Sequence, residues 1–179
     1  MGTQSDFLVG LAGSVGNVDF ETVYQTQLPR IYNFFRYRVG DDQVAEDLTA
    51  ETFEKAWKHR ERYREDLASF STWLFIIARR IAADHFRKRR LTVPLEEARQ
   101  LADPQTLEEE AQERADFARL SALLARLAER ERELVALKYG AGLTNRAIAR
   151  ISGLSESNVS TILHRLTSQL RAQLESDHE

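Results

Sequence analysis

The stretch from Leu143 to Leu174, LTNRAIARISGLSESNVSTILHRLTSQLRAQL, constrains this chain more than any other. It holds two helical periods separated by a glycine turn. Ala149 is small where two helices must cross closely. Gly153 stands where the turn needs a positive φ, which glycine adopts without steric cost. Ser155 suits the N-cap of the second helix. Leu154, Val159 and Ile162 are apolar where that helix must pack on the first. Glu156, Ser157, Ser160, Thr161, His164 and Arg165 are left facing outward. A short, polar, hydrogen-bonding face of this kind suits the major groove of DNA, so the stretch reads as a helix-turn-helix.

The rest of the chain reads as helical too. Phe20, Val23, Tyr24, Leu28, Ile31, Tyr32 and Phe35 recur at helical spacing. Gly40, Asp41 and Asp42 mark a stop and a new start. Val44, Leu48, Phe53, Ala56 and Trp57 form the next apolar stripe. After a polar loop, Ser69 or Ser71 caps a helix carrying Trp73, Leu74, Ile76, Ile77, Ile81 and Phe86. The predicted fold class is all-α, with two small helical domains joined by a flexible acidic linker. The predicted boundaries are a flexible leader over 1–18, a first domain over 19–90, a linker over 91–106, a second domain over 107–174 and a polar tail over 175–179. Phe7, Leu8, Val9 and Leu11 give the leader a short apolar patch. Thr106 and Glu109 have the spacing of a capping box.

Charge is polarised along the chain. The net charge of -3 hides a basic block, Arg79, Arg80 and Arg87 to Arg90, followed by an acidic one from Glu96 to Glu113. Basic residues interleaved with Tyr63, Phe70, Trp73 and Phe86 suit phosphates and exposed bases. The same run also fits an ordinary helix end, where cations meet the dipole. The sequence holds 0 cysteines, so it has no thiolate metal site. The four histidines are scattered, and neighbouring carboxylates such as Asp41 and Asp42 point about 100° apart on a helix. No phosphate loop and no nucleophile elbow is present. We expect no enzyme, no metal and no cofactor. No segment reaches the roughly 20 apolar residues of a membrane span, so no membrane insertion is expected and the location is read as cytoplasmic.

Three motifs together resemble the sigma factors of bacterial RNA polymerase, in the extracytoplasmic-function (ECF) group of the sigma-70 family. AEDLTAETFEKAW (Ala45 to Trp57) is similar to region 2.2, STWLFIIARRIAADHFRKRR (Ser71 to Arg90) to regions 2.3 and 2.4, and Leu127 to Arg171 to region 4. The likeness covers about Phe20 to Leu174. It implies a promoter-specificity subunit that docks on core polymerase and opens DNA. It assigns Asp47, Glu51, Thr52 and Phe53 to docking on the β′ clamp, with Phe53 either an anchor or part of the core. It assigns Tyr63, Arg64, Arg80 and Asp84 to the −10 strand, and Arg87, Lys88, Arg89 and Arg90 to its phosphates. Glu156, Ser157, Ser160, Thr161, His164 and Arg165 fall to the −35 element, with region 4 touching the β flap. An anti-sigma factor is a common partner in the group.

Three positions depart from the family pattern. Ala50 replaces a glutamine, Ala128 replaces a proline, and Ser160 with Thr161 stand where relatives are more basic. Two other classes compete with the resemblance: a dimeric operator-binding regulator that never enters polymerase, and an interaction protein that sequesters another factor. The regulator does not need the docking motif beside the aromatic-basic helix, and the interaction protein does not need the polar recognition face. Free protein is expected to bind DNA poorly, with the acidic linker screening the basic faces.

Overall fold

A computed structural model describes residues 14–15, 18–92 and 108–176. Among the described residues the α-helices are α1 Phe20–Val39, α2 Asp42–Lys58, α3 Phe70–Thr92, α4 Glu108–Ala125, α5 Glu129–Val135, α6 Asn145–Ser152 and α7 Glu156–Ser176. A 3-10 turn, Arg60–Arg62, leads into the loop before α3, and a π-turn, Ala136–Gly140, extends α5. Among the described residues the regular structure is helical apart from one small ribbon. Ser14–Val15 (β1) pairs antiparallel with Val18–Asp19 (β2), with Val15 opposite Val18. The end of the expected flexible leader therefore takes a defined ribbon.

Local chemistry sets the helix ends. The Asp41 carboxylate accepts the Val44 N–H at 2.8 Å and starts α2. Ser69 rather than Ser71 caps α3, its hydroxyl accepting the Thr72 N–H at 3.3 Å. Thr144 caps α6 by accepting the Ala147 N–H at 3.2 Å. Gly153 closes α6 at φ 72°, in the left-handed region a glycine turn requires. Ser155 then caps α7 through the Asn158 N–H at 3.2 Å. Two boundaries shift. α3 runs past the expected limit at residue 90 to Thr92, and α7 runs into the expected tail as far as Ser176. Thr106 and the rest of the acidic stretch 93–107 lie outside the described residues, as do Phe7, Leu8, Val9 and Leu11.

The two halves do not stand apart. One continuous apolar core joins Phe34, Phe35, Leu74 and Phe75 to Leu124, Leu137, Ile148 and Val159. At the seam Gly140 lies against α1 so closely that a Cβ there would sit 2.7 Å from the Asn33 carbonyl oxygen. Ions hold the edges of this contact. The Arg79 guanidinium on α3 grips the Glu133 carboxylate of α5 through two bonds, 2.8 and 2.9 Å, and also donates to the Ile151 carbonyl at the end of α6. Arg38, only 2% exposed, donates to the Glu129 carbonyl at 2.7 Å while its guanidinium lies 4.9 Å from the Phe86 ring. Arg90, on the last turns of α3, pairs with the Glu129 carboxylate. Arg30 donates to the Ala141 carbonyl at 2.9 Å. Burial pulls Arg38 below the ordinary arginine range, with Glu133 and Glu129 opposing that shift.

Candidate nucleic-acid interface

Helix α3 and the loop before it build the first candidate surface. Tyr63 packs edge-on to Phe70 at 5.1 Å and lies 5.5 Å from Trp73, while Phe70 stands 5.8 Å from Phe20 in the core. The ring cluster is thus anchored at its base, with Tyr63 half-buried at its rim. Burial, and then the nearby Glu65 charge, push the Tyr63 hydroxyl above its usual range. Arg64 is exposed and bound to Asp66 through bonds of 2.9 and 2.8 Å. That hydrogen bond raises the Arg64 guanidinium and lowers the Asp66 carboxyl.

Along α3, neighbouring arginines part company. Arg79 turns into the seam, whereas Arg80 is exposed. Asp84 is half-exposed and pairs with Arg87 at 2.9 Å, one turn on. Arg87, Lys88, Arg89 and Arg90 all lie exposed at the helix end. His85 is half-buried among them. Burial, followed by the Arg89 charge, lowers its imidazole below the ordinary histidine value, and its Nε2 has no hydrogen-bond partner.

Helix α7 gives the second surface. Val159, Leu163 and Leu166 are buried against the core. Glu156, Ser157, Ser160, Thr161, His164 and Arg165 are all exposed on the other side. Thr161 donates its hydroxyl to the Ser157 carbonyl at 3.0 Å, so it offers a groove mainly its lone pairs and its methyl. Two members carry charge, and each meets a counter-ion from another helix: Glu156 faces Arg146 of α6 at 3.4 Å, and Arg165 donates to Glu131 of α5.

Helix α2 gives a third, acidic surface, smaller than expected. Asp47 is exposed, and Glu51 is half-exposed and paired with Lys55 at 2.6 Å. Thr52 is corrected from a docking residue to a packing residue, and Phe53 takes the second of its two readings, as part of the core. Thr52 is 0% exposed and donates to the Leu48 carbonyl at 2.8 Å; Phe53 is 1% exposed and packs edge-on to Tyr24 at 4.7 Å. The reason is angular: Asp47 and Glu51 lie about 40° apart around the helix, while Thr52 and Phe53 lie about 100° or more from both, with Phe53 against Tyr24 of α1.

Arg38 was not among the sequence candidates, and Arg79, read as part of the basic block, is corrected from a phosphate-facing cation to a seam residue. Their partners Glu129 and Glu133 lie 91 and 54 residues away, and no local periodicity reports such a pairing. Among the described residues no group of His, Cys, Asp and Glu could hold a metal ion. Among the same residues no helix is long and apolar enough to cross a membrane.

The model of sigma-70 region 2 matches residues 23–92, and that of sigma-70 region 4 matches residues 117–170. The chain is 30% identical over 161 residues to the ECF RNA polymerase sigma factor BldN of Streptomyces coelicolor, covering 88% of this chain but 61% of that protein. It is 27% identical over 153 residues to the ECF RNA polymerase sigma factor SigM of Bacillus subtilis, covering 85% of this chain and 93% of that one. In fold it resembles the sigma factor RpoE solved with the anti-sigma factor NepR from Bartonella quintana, with TM-score 0.68 and 23% identity over 89% of this chain and 98% of that one. It also resembles CnrH solved with the cytosolic domain of CnrY, with TM-score 0.62 and 21% identity over 98% of this chain and 92% of that one.

Proposed function

The chain belongs to the ECF group of the sigma-70 family, and from that premise we propose that it binds core RNA polymerase, selects promoters and opens them for transcription initiation. It works by binding rather than by a chemical step of its own, in the cytoplasm where polymerase and DNA meet. The observation that carries this reading is the exposure of three polar faces, on α2, α3 and α7, around one closed apolar core. Each face has the character its partner requires. Asp47 and Glu51 offer carboxylates to a basic clamp surface. Tyr63 sits at the rim of an aromatic cluster on which an unstacked base can stack, repaying an opening cost of a few kcal/mol. Arg80 and the cations from Arg87 to Arg90 follow the strand. The α7 face reads the upstream element in the major groove, with Arg165 as its cationic member.

In this reading residues 19–90 make the docking and −10 unit, and residues 107–174 the −35 unit. Elements named −10 and −35 lie about 25 base pairs apart, or roughly 85 Å at about 3.4 Å per pair. Here the −10 helix touches α5 and the end of α6 directly, so both elements cannot be held at once. Transcription then requires the seam to open. The stretch between Thr92 and Glu108 reaches at most about 58 Å when extended, which together with the bodies of the two halves suffices. By analogy with RpoE, solved in complex with the anti-sigma factor NepR, an anti-sigma factor is a further expected partner. A dimeric operator-binding regulator is not favoured, because the half it would use to dimerise is the one matching region 2.

Run-off transcription with core polymerase tests the proposal, with and without the protein, on a library of promoter fragments. Transcripts that require the protein support it, and their aligned upstream sequences give both elements. Absence of transcripts together with no binding to core polymerase overturns it.

A further inference from the structure

Both charged side chains of the α7 reading face are countered from outside the helix. The two pairs differ. Arg146 and Glu156 are 79% and 53% exposed at the side chain and stand 3.4 Å apart. Arg165 is 64% exposed, but its partner Glu131 is only 27% exposed, set on α5 where that helix packs on α7. Glu131 is therefore the more enclosed partner, and Arg165 the more exposed one that it holds.

We propose that Glu131 is a positioning and specificity-determining residue for upstream-element reading, acting through Arg165; the proposal rests on the function argued above. A free arginine carries a long, rotamer-rich side chain and loses that freedom when it settles on a base. Binding one Nη2 proton to Glu131 fixes the guanidinium beforehand. Its fork has five N–H groups, so a pair remains for the O6 and N7 acceptors of a guanine. The carboxylate also cancels the arginine charge. An uncancelled arginine on this face would bind any phosphate and release counterions at any sequence. Glu131 thus lowers indiscriminate binding while sharpening the match at one base pair. A surface ion pair that served only stability would do neither.

These two effects have opposite signs, which makes the proposal testable with the full-length protein in complex with core polymerase. Duplexes randomised across the upstream element are selected with the wild type, Glu131→Gln, Arg165→Ala and the double variant. In parallel, binding of each to a fixed unrelated duplex is measured against salt. Glutamine keeps the shape of Glu131, and thermal melts check that each variant folds. In Glu131→Gln the expected result is a loss of about fivefold or more in discrimination at the same base position that Arg165→Ala relaxes. The same variant should bind the unrelated duplex more tightly, with a salt slope steeper by about one phosphate contact. The double variant should match Arg165→Ala. An unchanged selection by Glu131→Gln, a uniform loss at every position, or additive losses in the double variant would overturn the positioning role alone. A wild type that selects no upstream sequence at all would overturn the functional reading along with it.

Discussion

Glu133→Gln should loosen the seam without unfolding either half. The wild-type carboxylate accepts two charge-assisted bonds from Arg79, 2.8 and 2.9 Å long, at side-chain exposures of 12% for Glu133 and 27% for Arg79. Glutamine keeps one acceptor and turns an amide N–H2 toward an arginine donor, so one bond is lost and one repulsion gained. Bonds to charged groups contribute about 1.5–3 kcal/mol each, and removing one partner of a fully buried pair costs about 3–5 kcal/mol. This pair is partly wet, so about 2 kcal/mol is the working figure, or roughly thirtyfold in the ratio of open to closed forms. The chain has 0 cysteines, so cysteines placed at exposed Glu61 and Ser168 give two unique labels, one on each half. Their distance distribution, by dye transfer or paired spins, should gain a long component in Glu133→Gln. The control Glu54→Gln, an exposed carboxylate on α2, should not show it. A lower melting temperature with an unchanged distance distribution would refute the reasoning, because the pair would then stabilise the whole fold rather than join two separable halves. Arg79→Glu with Glu133→Arg should close the seam again only in part, since a glutamate at 79 cannot donate to the Ile151 carbonyl.

Phe53→Ala should cost about 3–5 kcal/mol of stability in thermal or denaturant melts, as expected for an aromatic ring removed from a core. Asp47→Arg should weaken binding to core polymerase while leaving the melt unchanged; normal co-purification with polymerase would remove Asp47 from the docking face. Gly140→Ala should push α1 and the π-turn apart, because the added Cβ meets the Asn33 carbonyl oxygen at 2.7 Å and the Phe34 nitrogen at 3.2 Å. A loss of about 1–3 kcal/mol, with a broader label distance, is the expected reading. His85 has a folded pKa below its unfolded value of 6.5, so the unfolded chain takes up protons first. Its contribution to stability is complete above about pH 6.5 and falls as pH drops toward the folded value. His85→Gln should flatten stability over that window, measured by melts from pH 7.5 to about pH 5.

Most of the helix ends were legible because their causes are local. Asp41, Ser69 and Ser155 cap within three residues of themselves, and Gly153 has φ 72° because a turn between crossed helices requires it. The α7 face was legible for the same reason, although of the apolar positions read from the sequence Val159 is buried while Leu154 and Ile162 are half-buried, and Leu163 and Leu166 complete the packing side. Motif membership was a poorer guide than helical angle. Thr52 and Phe53 belong to the same short motif as Asp47 and Glu51 but face the opposite way. The seam was beyond any local reading. Whether an arginine at 79 or at 80 meets solvent depends on where α5 and α6 come to rest, and those are joined to α3 by distant contacts. The seam also changes the account of self-screening. Glu129, on a described helix, meets the basic end of α3 through Arg90, a part first given to the acidic stretch before α4.

The net charge of -3 can now be weighed against the expected partner. Four cations of the candidate DNA surfaces are paired with carboxylates of the same chain: Arg64 with Asp66, Arg87 with Asp84, Arg90 with Glu129 and Arg165 with Glu131. A phosphate must displace each carboxylate before it gains from the arginine, so attraction to random DNA is weak. For a protein that searched DNA alone this would be a defect, since non-specific attraction supplies both affinity and approach rate. For a subunit carried to the promoter by polymerase it is not. The carrier raises the local concentration of DNA to the millimolar range, and weak sites then suffice. What the subunit must contribute is discrimination, and carboxylates that cancel stray attraction to phosphates favour discrimination over affinity. The carboxylates beside the arginines therefore belong to the reading surface itself, and the acidic balance of the chain follows from its dependence on polymerase.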